Sequence, residues 1–189
     1  MTVGALACRL DDRLREVPVD AAAFAAEVER LTDAVAASHS QPRELLGRLG
    51  AAAPALRIAG RLDEAQHAAS AAVSLAGLLD DPGAAYDNQL RLATVLHWQG
   101  QFALSTPLFD LLVSQARAVA ELGDRLDEAL HRAALNLLDE GKPGQAAHFL
   151  REALALREAK GEAAPIEATR RALALAAPGD PAHSTERRA

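Results

Sequence analysis

Apolar residues recur at helical spacing along most of the chain. Leu92, Val95 and Leu96 share one face of a helix that the spacing traces back to about Ala84. Phe102, Leu108, Phe109, Leu112, Ala116 and Val119 share one face of a second, reaching about Leu122. The plan repeats with Leu126, Leu130, Ala133, Ala134 and Leu137, then with Ala146, Phe149, Leu150, Ala153, Leu154 and Leu156 before Gly161. Gly60, Gly100 and Gly141 separate the paired helices and lie 40 and 41 residues apart. Each is followed two residues on by a bulky or cyclic residue (Leu62, Phe102, Pro143) and five on by a small one (Ala65, Ser105, Ala146). Glycine accepts the positive φ of a tight reversal, and the small residue lets two helices approach closely. A period of this size predicts stacked helix pairs.

The ends follow a weaker version of the plan. Val3, Leu6, Leu10 and Leu14 predict a helix over 3–16. Val17-Pro18-Val19-Asp20 breaks it, and Phe24, Val28, Leu31 and Val35 predict another over 21–37. The organisation expected is one domain over 1–177: a degenerate pair at 1–39, repeats at 43–79, 83–122 and 124–160, and a capping helix at 164–177. Residues 178–189 read as a disordered tail. Asp80-Asp81-Pro82-Gly83 is a strong break. Pro54 predicts a kink, or a break at Gly50, since an interior proline removes a helical hydrogen bond.

Composition agrees with the pattern. The 189 residues include 45 Ala and 30 Leu but only 17 Val, Ile and Thr. Strands favour β-branched and aromatic residues, so an all-β fold is excluded. A net charge of −6 argues against nucleic acid, which needs a basic face. No apolar run approaches the ~18 residues of a membrane span, so no membrane partner is expected. A single cysteine, Cys8, allows no internal disulfide, and the start lacks a basic leader. A cytoplasmic location is the resulting expectation. Abundant Ala, Arg and Leu with few Lys suggests a GC-rich bacterial genome.

Candidate chemistry is sparse. There is no Cys-x-x-Cys, no His pair at i, i+4 around a Glu, no Gly-x-Ser-x-Gly and no phosphate loop. No enzyme activity, metal or cofactor is therefore expected. One constellation could form across adjacent units: His97, His131, Asp87 and Glu128. A solvated groove lining is the plainer reading of these four.

Leu92-Ala93, Gly100, Phe102, Ser105 and Phe109, with Ala133-Ala134, Gly141, Ala146, Leu150 and Ala153, resemble the tetratricopeptide repeat (TPR). Leu56, Gly60, Asp63-Glu64-Ala65 and Ala72 match more weakly. The resemblance covers about 43–160. The unit exceeds the usual length of about 34 residues and is similar to the long-helix repeats of kinesin light chains and of bacterial regulators. HEAT and armadillo arrays share the period, but the Gly-centred turn favours the TPR. The resemblance implies an all-α, right-handed α-solenoid of about four antiparallel helix pairs plus a C-terminal capping helix. It also implies a concave groove lined by the first helix of each pair. The expected lining is Arg57, Asp87, Leu90, Arg91, Thr94, His97, Trp98, Glu128, His131, Arg132, Leu135 and Asp139. Such a groove implies a non-catalytic interaction module binding a peptide or partner helix, as adaptor, assembly factor or chaperone-like protein. The alternatives are a peptide- or small-ligand-sensing regulator acting on a separate effector, and a homo-oligomerising structural protein, for instance a homodimer. TPR domains that hold chaperone tails use a clamp of Lys, Asn and Arg. Gly50, Pro54, Arg91, Glu128 and Arg132 hold the matching places, so no chaperone-tail binding is expected.

Overall fold

The computed structural model describes residues 6–38 and 40–177. Among these are eight α-helices: α1 (Ala21–Ala36), α2 (Pro42–Ile58), α3 (Leu62–Leu78), α4 (Pro82–Trp98), α5 (Phe102–Ala118), α6 (Leu126–Asp139), α7 (Pro143–Lys160) and α8 (Ala163–Ala176). Each packs on the next, giving the pairs α2/α3, α4/α5 and α6/α7 between single helices α1 and α8. The architecture is a TPR-like helical-repeat solenoid.

Local chemistry sets the boundaries. Asp20 caps α1 by accepting from the N–H groups of Ala22 and Ala23, and Asp81 caps α4 by accepting from Ala84. Proline opens α2, α4 and α7, where its missing N–H costs nothing. Gly60, Gly100, Gly141 and Gly161 follow α2, α4, α6 and α7 with φ between 71° and 81°. Asp80, at φ 52°, takes the same place after α3. Ala65, Ser105 and Ala146 have no exposed surface, as close helix approach requires. The α5 helix stops at Ala118, short of the expected 122, and a 3₁₀ segment, Ala120–Arg125, leads into α6.

No break occurs at Gly50: α2 runs through Pro54 as one helix. A Cβ at Gly50 would lie 3.2 Å from Asn88 Oδ1 and 3.4 Å from Arg91 Nη1, so this glycine marks close approach to α4. Packing of α2 against both α3 and α4 holds the helix where proline alone would weaken it.

The N-terminal segment corrects the expectation of a helix over 3–16. Within its described part, β1 (Cys8–Leu10) pairs antiparallel with β2 (Glu16–Pro18), Cys8 opposite Pro18 and Leu10 opposite Glu16. Val17 and Val19 favour extended backbone, and Pro18 cannot donate a helical bond. The Asp11 carboxylate accepts from the N–H groups of Arg13 and Arg15, competing with helical bonding. Leu14 turns at φ 60° and is buried with Leu137, Ala134, Ala172 and Ala176. Among the described residues of the degenerate first pair, only α1 forms as a helix. The tail at 178–189 lies outside the described residues.

Candidate interaction groove

The first helices of the three pairs, α2, α4 and α6, and the single helix α8 pack side by side and form one inner face. The β1–β2 hairpin lies across it. Glu16 of β2 accepts from Arg57 of α2 at 2.9 and 3.2 Å and from Arg132 of α6 at 3.0 Å. Arg132 also donates to Glu128 at 2.9 Å. Burial pushes the Glu16 carboxyl up, but the guanidiniums of Arg132 and Arg57 outweigh it and hold the group at about 2. The Arg57 side chain is only 4% exposed, and Glu16 is its one ion-pair partner among the described residues.

A second charged group lies beside the first. Asp139 of α6 accepts from Arg15 at 3.0 Å and from His97 Nε2 at 2.9 Å. A carboxylate can only accept, so Nε2 carries the proton. The hydrogen bond from His97, supported by Arg15 against the effect of burial, holds Asp139 at about 2. Trp98, at the end of α4, stands between two guanidiniums: Arg57 Cζ lies 4.2 Å and Arg15 Cζ 5.1 Å from its ring centroid. Trp98 thus meets both the inner helices and the hairpin.

Two cavities flank these contacts. One, of about 790 Å³, runs along the hairpin tip, with Leu135, Leu138, His97, Trp98 and Leu175 on its walls. The other, of about 270 Å³, lies between α2, α4 and α6; Pro54, Leu90, Arg91, Thr94 and Glu128 line it, and it shares Arg57 and Arg132 with the hairpin contacts. Its charged rim is partly neutralised, because Asp87 pairs with Arg125 at 2.6 Å and Glu128 with Arg132 at 2.9 Å; Arg91 donates to the neutral Asn88 at 2.9 Å.

Of the twelve residues expected to line the groove, His131 lies at the foot of a smaller cavity beside Leu14 and Glu16, against α8. It is buried beside Thr169 of α8, 3.3 Å from Nδ1 to Oγ1. Burial, then the charges of Arg157 and Arg132, hold it neutral with its pKa at about 3. The His97, His131, Asp87 and Glu128 constellation does not assemble, since each has a different partner: Asp139, Thr169, Arg125 and Arg132. Cys8 lies in β1 rather than in a helix, part-buried against the α1–α2 core, and burial, then Glu16, raises its thiol.

Sequence reasoning missed Leu14, Arg15 and Glu16. The one available signal was Val17-Pro18-Val19, a β-branched pair around a proline just after them. Arg57 and Arg132 sit on helices 75 residues apart in sequence, and no spacing rule links them to Glu16.

No family model matches the chain, and no curated protein matches it in sequence. Among solved structures, it is similar to the nearly identical TPR-like repeats of a Podosopora anserina protein described as a kinesin light chain. The TM-score is 0.61 at 20% identity, over 82% of this chain and 78% of that one. A single-substitution variant of that protein gives a TM-score of 0.63 at 19% identity, over 82% and 77%. These likenesses show the TPR-like repeat fold. No helix among the described residues is long and apolar enough to cross a membrane.

Proposed function

We propose that the chain is a non-catalytic protein–protein interaction module whose inner face takes a peptide or partner helix, in the manner of an adaptor, assembly factor or chaperone. The observation that carries this reading is the inner face itself. The first helices of three repeats and α8 bring apolar, acidic and basic side chains together, and an extended segment, the hairpin, already lies on them. TPR-like repeats generally work through such faces. One part the hairpin leaves open is the 270 Å³ cleft at Leu90 and Arg91.

A second reading, a sensor of a peptide or small ligand, is favoured by the 790 Å³ cavity, a volume suited to a compact ligand. A pull-down from native lysate with the unsubstituted chain and a Leu90→Asp/Arg91→Glu variant tests the first. Both substitutions lie in that cleft, and neither removes a residue that contacts the hairpin. A partner held by the wild type and lost by the folded variant is expected. A partner held equally by both would move binding off the inner face.

A further inference from the structure

The hairpin is bound to the inner face as a ligand would be bound. On its own it is two strands of three residues, too short to be stable without outside contacts. Three consecutive side chains anchor it, each to a different kind of subsite. Leu14 enters the apolar pocket between α6 and α8, Arg15 reaches Asp139 and Trp98, and Glu16 lies between Arg57 and Arg132. The fit carries two defects. Leu14 reaches its pocket only from a positive φ, which is costly for a non-glycine residue. Arg15 Nε is buried with no hydrogen-bond partner, the only such side-chain atom among the described residues. The 790 Å³ cavity runs alongside these three residues, so the face is wider than its occupant.

We propose that residues 14–16 are a resident occupant of a peptide site, and that the partner is an extended segment carrying the same order of side chains: a large aliphatic residue, a basic residue, then a carboxylate. This rests on the reading of the inner face as an interaction surface. The carboxylate is the required element. An undocked hairpin would leave Arg57 deep in the wall without a counter-ion, a costly state, so the site exchanges one carboxylate for another and does not stand empty. An incoming leucine presented from ordinary extended backbone avoids the strain at Leu14, and a lysine or a shifted arginine avoids the orphaned Nε. These differences give a foreign segment its advantage over the covalently tethered hairpin.

The probe is a fluorescein-labelled synthetic peptide with the sequence of residues 6–19, followed by anisotropy. It is titrated into the full chain and into the full-length Glu16→Ala variant, whose hairpin no longer satisfies Arg57. The peptide should bind the variant about tenfold more tightly than the unsubstituted chain, because the resident hairpin no longer competes as well. A peptide carrying Glu16→Ala should lose most of that binding. A shorter peptide of residues 12–18, which cannot form the hairpin, should retain it. If the folded variant ignores the peptide, the hairpin is a fixed part of the fold and the proposal fails. If only the 6–19 peptide binds, an extended partner is excluded. Should Glu16→Ala prevent folding, hydrogen exchange on the unsubstituted chain decides. Exchange of the Leu14, Arg15 and Val19 amides well before those of α4 and α6 supports a detachable occupant, and exchange only on global unfolding overturns it. Failure here, with a partner still lost by Leu90→Asp/Arg91→Glu, would leave the interaction reading standing. Peptide binding with no partner lost by that variant would do the reverse.

Discussion

Helix ends show how single residues set the repeat. Four are followed by a glycine at positive φ, and one by Asp80 at 52°. The left-handed region costs a non-glycine residue roughly 1 kcal/mol, somewhat less for aspartate, whose short polar side chain is tolerated there. Asp80 is exposed and makes its turn bond through its backbone N–H to Gly77. Asp80→Gly relieves the strain, while glycine's freedom in the unfolded chain returns part of the gain. A net stabilisation of about 0.5 kcal/mol, or roughly 1–2 °C in Tm, is expected. Gly100→Ala at φ 71° should cost about 1 kcal/mol. Urea denaturation of both chains checks this, and a less stable Asp80→Gly would show that the carboxylate itself supports the turn. The same comparison explains what the sequence made visible. Glycines every forty residues mark three turns openly, whereas an aspartate doing the same work looks like any other surface charge.

At the scale of elements, the attachment of α8 rests on a polar cluster. Arg157 of α7, its side chain 4% exposed, donates to Asp127 of α6 at 2.9 Å, to Thr169 Oγ1 of α8 at 2.7 Å and to the Pro165 carbonyl at 3.1 Å. Thr169 accepts from Arg157 and donates to the Pro165 carbonyl at 2.9 Å, which leaves it an acceptor position for His131 Nδ1–H. One guanidinium thus ties three helices. Arg157→Ala leaves Asp127 with Lys160 alone, 2.6 Å away, and strips Thr169 of one of its two donors. It should cost about 3 kcal/mol and release α8 ahead of α6 in hydrogen exchange. A variant of unchanged Tm would mean that the apolar contacts of Ala172 and Ala176 suffice. Such clusters set the limits of sequence reading. Helices α2 to α8 were legible because their apolar spacing is local. The first segment was misread because Leu6, Leu10 and Leu14 also fit helical spacing, while Asp11 and the valines that decide for a hairpin act through backbone bonds and long-range pairing. That α2, α4 and α6 lie side by side was legible from the repeat. What their side chains touch was not, since the partners are on other helices or on the hairpin.

Across the whole molecule, two acid-sensitive devices act in different pH ranges. His131 is held neutral at about 3, well below its ordinary 6.5. The unfolded chain therefore binds the extra proton first, and this contribution is complete above pH 6.5 and fades as pH falls toward 3. Glu16 is held at about 2 against an ordinary 4.5, and Asp139 at about 2 against 3.8. Their contributions are complete above those ordinary values and fade as pH falls toward 2. Acid should therefore weaken the α6–α7–α8 core from near pH 6.5, and the hairpin contacts with Arg57, Arg132, Arg15 and His97 only below about pH 4.5. Trp98, the sole tryptophan, sits between Arg15 and Arg57 and reports the second event through its emission. Urea midpoints measured from pH 7 to pH 3 should decline in two limbs. Glu16→Gln should start less stable and flatten the lower limb only, because a neutral amide has no proton to gain, and the upper limb should survive. A single limb, or loss of the upper limb in Glu16→Gln, would mean that the hairpin and the α8 cluster titrate as one unit. The two sites share Arg132, which faces Glu16 and also depresses His131, and the Glu16 charge itself acts on His131 in the opposite direction, so such coupling would run through that ion pair. With two limbs, that shared charge is too weak to join the core that holds the repeats together to the contacts that occupy their inner face.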